Sequence, residues 1–153
     1  MCAGRLWRPG ERVHDGGMVS IDDVRAIALA LPGAEESVGG HTGAAAWRLK
    51  SGQFAWLRGP RATDLRQLAE VGREWPAGDV LAVRVADLEE KDALLAAEPD
   101  VLFTIPHFDG FPGLLVRLDV VHRDRLEEII TDAWLVRAPA RVSQEWLRER
   151  GWE

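Results

Sequence analysis

The chain has 153 residues, a formal net charge of −6, 46% hydrophobic and 29% charged residues, and a single cysteine. That length suits one domain whose core is large enough to fold alone, and the composition is globular rather than disordered. No apolar run approaches the roughly 20 residues that span a bilayer, Cys2 has no partner for a disulfide or a thiolate zinc site, and the acidic balance argues against a broad basic footprint for nucleic acid.

Arg5, Arg8, Glu11 and Arg12 break any apolar stretch of a signal peptide, so the expected location is cytoplasmic. Residues 1–17 show no periodicity and are expected to be a disordered or weakly docked extension, with one domain over 18–153. Charge is unevenly spread. Residues 41–73 hold six cations and two carboxylates, a balance of +4, whereas residues 74–132 hold five cations and fourteen carboxylates, a balance of −9.

Ser20 is a suitable N-cap, and Ile21, Val24, Ile27, Ala28 and Leu31 recur at helical spacing until Pro32–Gly33, which predicts a helix over 21–31. A hairpin is expected next, with strands 44–50 and 53–58 around a Ser51–Gly52 turn. In that register Leu49 faces Phe54 and Trp47 faces Trp56 on an apolar side, while Lys50 faces Gln53 and Arg48 faces Ala55 on the other. A short helix is expected over 62–72 and a strand over 80–85, with Leu81, Val83 and Val85 opposing Ala82 and Arg84. Asp87 can cap a helix that runs to about Ala97, and a short strand follows at 101–105. In strand 114–119, Leu114, Val116 and Leu118 oppose Leu115, Arg117 and Asp119. The helix over 123–136 carries Leu126, Ile129, Ile130, Ala133 and Trp134 on one stripe, and a last helical piece covers about 143–150. The order is that of an α+β fold: a two-layer domain with an antiparallel sheet of about five strands and helices packed on one face.

The loop PHFDGFPG at 106–113 is the most unusual segment. His107 and Asp109 could act as an acid–base or metal pair, but two ligands make no metal site and no nucleophile accompanies them. The same residues suit a stiff turn anchored by Phe108 and Phe111. Ser37, Ser51 and Ser143 lack a nucleophile elbow, and Gly39–Gly40 lacks the ending of a phosphate loop. No catalytic residue, metal or cofactor is expected.

The runs ALALPGAEES (28–37), FAWL (54–57), LAVRVADLEEKDALLAAEPDVLFTIPHFDGFPGLLVRLD (81–119) and TDAWLVRAPARV (131–142) together resemble the MmcQ/YjbR-like family of small bacterial proteins. The resemblance spans roughly Met18 to Val142. It implies a two-layer α+β domain with a topology like that of secretion chaperones. It also implies a DNA-binding label, which rests on a proposed double-wing arrangement of hairpins. The resemblance carries over no catalytic residues.

Two readings follow for a monomer without membrane contact. In one, the protein is a weak DNA binder that uses a basic hairpin and an open sheet face, with Arg48, Lys50, Arg84, Arg117 and His107 meeting DNA or another acidic or phosphate-bearing partner. Thr104 is expected on the same face. In the other, it is a protein- or small-ligand-binding module with a chaperone-like fold. A hydrolase built on His107 and Asp109 is a third, weaker reading.

Overall fold

A computed structural model describes residues 19–39 and 44–151, so the expectation for residues 1–17 lies outside the described residues, as does Gly40. The first helix, α1 (Ile21–Leu29), opens on a reciprocal cap. The Asp23 backbone N–H donates to the Ser20 hydroxyl at 3.2 Å, and the Ser20 N–H donates to the Asp23 carboxylate at 2.8 Å. There follow β1 (Glu35–Gly39), β2 (Ala44–Leu49), β3 (Gly52–Leu57), α2 (Ala62–Glu70), β4 (Val80–Arg84) and α3 (Leu88–Ala97). The chain then forms β5 (Leu102–Phe103), a short 3-10 helix (Pro106–Phe108), β6 (Gly113–Arg117), α4 (Arg123–Arg137) and α5 (Ala140–Glu149). Asp87 caps α3 as expected, accepting the Glu90 N–H at 2.8 Å.

The six strands make one antiparallel sheet in the order β1-β2-β3-β4-β6-β5. The β2–β3 hairpin exists, but its register differs from the expected one. Its turn is Lys50–Ser51, so Leu49 pairs with Gly52 and Arg48 with Gln53. A bulge then shifts the ladder, so that Trp47 pairs with Ala55 and Ala46 with Trp56. An extra residue in one strand reverses which side chains share a face. Phe54 and Ala55 both join the side of Trp47, and Trp56 points to the other side. Strand β1 is an addition. Its polar EESVG sequence lacks the β-branched and aromatic run that marks a strand, and it pairs with β2 through Glu35–Arg48 and Glu36–Trp47.

The main core lies on one face of the sheet. Trp47, Leu81, Val83, Leu114 and Val116 meet Val24 and Ile27 of α1 and Leu126, Ile130 and Trp134 of α4. Trp134 donates its indole N–H to the Pro32 carbonyl at 2.9 Å and packs on the buried Trp146 of α5 at 5.4 Å between rings. The other face holds a smaller cluster: Val80, Ala82 and Leu115 lie beneath Leu68 of α2, Ile105 and Phe108. The second face is therefore roofed at its centre, and Arg48, Arg84, Phe103 and Arg117 around that centre are half-buried.

Candidate functional site

The roof of the second face is the 106–113 loop, and three buried charges hold it. Lys91 of α3 is 5% exposed, and its Nζ donates to the carbonyls of Phe108 at 2.6 Å and Phe111 at 2.9 Å. Burial pushes the Lys91 ammonium below the usual lysine range, although Asp109 and Asp92 lie close enough to oppose this. Arg58 pairs with Asp64 at 2.9 Å, both nearly solvent-free, and Asp64 also accepts the Arg61 N–H that opens α2. These three residues did not stand out in the sequence. The signal available for Lys91 was a cation three residues from both Leu88 and Leu94 on an otherwise apolar helical stripe.

The anchored loop presents rings. Phe108 and Phe111 meet edge-to-face at 5.3 Å, and Trp56 lies 6.4 and 6.3 Å from them. Phe111 folds back over β6 into space that only a glycine leaves. A Cβ on Gly113 would stand 2.4 Å from the Phe111 ring. On the same ring sits Arg84, its guanidinium carbon 5.0 Å from the centroid.

Arg84 pairs across the sheet with Gly113, and Arg48 with Gln53, on the second face toward the β2–β3 turn. Lys50 is exposed in the turn itself. Arg48 has Glu35 opposite it on β1. Arg117 shares the face but pairs with Val80, four residues from Arg84 along β4 or about 13 Å at strand spacing. There it sits beside Asp119 at 3.8 Å. Thr104 is not in a strand; the β5 residue on this face is Phe103, which pairs with Leu115. His107 is exposed and tilted against Phe108 at 6.1 Å, and Asp109 is exposed without a hydrogen bond to it. Among the described residues, no three His, Cys, Asp or Glu side chains gather where a metal could be held.

Arg137, at the last turn of α4, joins the group at the turn. Its Nε donates to the Gln53 carbonyl at 3.2 Å, its own carbonyl accepts the Ser51 hydroxyl at 2.8 Å, and its guanidinium packs against Gly52. Arg84 feels it directly: burial first, and then the positive charge of Arg137, depress the Arg84 pKa below the usual arginine range. The Arg84 Nε is buried without a hydrogen-bond partner.

On the first face, a groove of about 330 Å³ runs between α3 and α4 over Val83, Leu114, Ile129 and Leu135. Glu90, Arg125 and Asp132 also line it. Arg125 is engaged by Glu98 and Glu128, and burial holds the Asp132 carboxyl above its usual range.

Comparison with known proteins places the chain. The YjbR family model matches residues 29–136. Uncharacterized proteins of Mycobacterium tuberculosis (Rv2570) and Mycobacterium bovis (Mb2600) are each 43% identical over 134 residues, which is 88% of this chain and all of theirs. The crystal structure of Deinococcus radiodurans protein DR2400, assigned to domain DUF419, shares the fold with a TM-score of 0.60 at 19% identity, covering 90% of this chain and 92% of that one. No described helix is long and apolar enough to cross a membrane. The chain belongs to the YjbR family, with an α+β fold built on a six-stranded antiparallel sheet.

Proposed function

We propose that this protein is a non-catalytic binding protein that takes a phosphate-bearing partner, DNA first among them, at the turn end of the second sheet face. The observation that carries this reading is the pair Arg84 and Arg137. Two guanidiniums are held within electrostatic reach of each other, and among the described residues neither has a carboxylate in ion-pairing range. Like charges so placed repel unless an anion joins them. A guanidinium's planar donors suit a phosphate, and such contacts give affinity without sequence choice. Arg48 and Lys50 extend the positive surface around them, His107 is exposed on the 106–113 loop, and Arg117, about 13 Å away, sits beside Asp119. The overall charge of −6 keeps such binding weak.

The test is a titration with short single-stranded and duplex DNA at low and moderate salt. The reading expects binding at micromolar protein in low salt, weakened as salt rises and reduced in an Arg48→Ala/Lys50→Ala double variant. No binding in low salt, or binding indifferent to the double variant, overturns it.

The groove between α3 and α4 favours a second reading, a small-ligand module. Its volume of about 330 Å³ and its apolar floor with a few charged groups are the features of small-molecule sites.

A further inference from the structure

The groove between α3 and α4 is clasped at one end and open at the other. Glu98, at the end of α3, pairs with Arg125 in the first turn of α4. Glu90, in the first turn of α3, lies within electrostatic reach of Asp132, further along α4. The two helices therefore run antiparallel, and the groove lies between the Arg125–Glu98 clasp and a mouth at Glu90 and Asp132. Asp132 is seven residues past Arg125, which is about 10 Å at helical rise. The floor residues Leu102 and Leu114 are buried, whereas Leu94 and Leu135 on the facing helices are only half-buried. Apolar walls left partly open favour an apolar occupant, because its entry removes both surfaces from water.

The mouth restricts what that occupant carries. Arg125 is engaged by Glu98 and Glu128, and Arg84 turns its guanidinium onto the Phe111 ring of the other face. Glu90 and Asp132 are exposed, and among the described residues neither has a cation in ion-pairing range. Burial chiefly raises the Asp132 pKa; Arg125 opposes this, and the negative charges of Glu90 and Glu128 add to it. Carboxylates so placed repel unless a cation joins them. No aromatic side chain lines the groove among the described residues, so it lacks the cage of rings that suits a quaternary ammonium. Its carboxylates accept N–H bonds instead, and a primary ammonium offers three.

We infer that the α3–α4 groove binds a primary amine with one apolar chain or ring of about 10 Å or less, its ammonium between Glu90 and Asp132 and its body toward the Arg125–Glu98 clasp. This rests on the small-ligand reading of the groove and names the chemistry of that ligand.

The test is methyl-labelled NMR of the full chain, titrated separately with hexylammonium, hexanol and hexanoate at neutral pH. The three share one apolar body and differ in the charge of the head. The inference expects shifts at the Leu94, Ile129 and Leu135 methyls, with hexylammonium bound about tenfold or more tighter than hexanol and hexanoate weakest. That advantage over hexanol should shrink as salt rises. It should also fall in Asp132→Asn and in Glu90→Gln, with hexanol binding unchanged in both. Both side chains are exposed, so either variant is expected to fold. Hexanol or hexanoate bound as tightly as the amine, or an amine advantage that survives in both variants, overturns the inference and leaves the small-ligand reading standing. Silence of the groove methyls toward all three overturns both.

Discussion

The ammonium of Lys91 donates to the Phe108 carbonyl at 2.6 Å from a side chain that is almost wholly buried. It joins α3 to the 106–113 loop, and through that loop to the rings on which Arg84 rests. Lys91→Met keeps the length and volume but leaves the Phe108 and Phe111 carbonyls without their donor. The expected loss is about 1–3 kcal/mol of unfolding free energy. Denaturant melts measure this loss, and hydrogen exchange at Phe108 and Phe111 should show faster opening of the loop. Unchanged stability would mean that the two carbonyls find other donors.

Gly113→Ala should be destabilising by about 1–3 kcal/mol, because its Cβ would collide with the Phe111 ring at 2.4 Å and approach the Val83 carbonyl at 3.1 Å. The ring is the larger obstacle. In a Phe111→Ala background the same substitution should therefore cost markedly less, and a double-mutant cycle reads that coupling. Equal costs in both backgrounds would place the strain on the Val83 carbonyl instead.

Glu36 joins α1 to β2. Its carboxylate accepts the Arg25 Nε at 2.8 Å and the Trp47 indole N–H at 3.1 Å, and these bonds, Arg25's foremost, hold its carboxyl below the usual glutamate range. A lowered folded-state pKa means the contribution is fully present above the ordinary value of 4.5 and is lost as pH falls through the lower folded value. Wild-type protein should lose stability on acidification below about pH 4.5, and Glu36→Gln should flatten that loss. Asp23 retains a slope of the same sign in the variant, because the Ser20 backbone N–H lowers its pKa too. Equal slopes in the two proteins would remove Glu36 from the account.

Local chemistry made much of this fold legible. Ser20 and Asp87 cap helices with their own side chains, and the α4 stripe of Leu126, Ile129, Ile130, Ala133 and Trp134 is buried throughout. The alternation in β4 and β6 likewise divides Leu81 from Ala82 and Leu114 from Leu115 onto the two cores. What was hidden depends on partners distant in sequence. The hairpin bulge that turns Trp56 away from Trp47 leaves no composition signal. Glu35 and Glu36 become strand residues only because β2 lies beside them. At the site, Arg48, Lys50 and Arg84 could be read as cations near a hairpin. Arg137 could not, because it arrives from α4, 84 residues away from Gln53.

The salt dependence of DNA binding, compared between wild type and an Arg84→Gln variant, decides whether Arg84 meets a phosphate. Each phosphate contact contributes about 0.7–0.9 to the slope of log affinity against log salt. If Arg84 contacts a phosphate, wild type binds measurably with a negative slope, and the slope is shallower by about one contact in Arg84→Gln. An identical slope and affinity in the two proteins would contradict it, because Arg84 would then be a guanidinium that meets no phosphate.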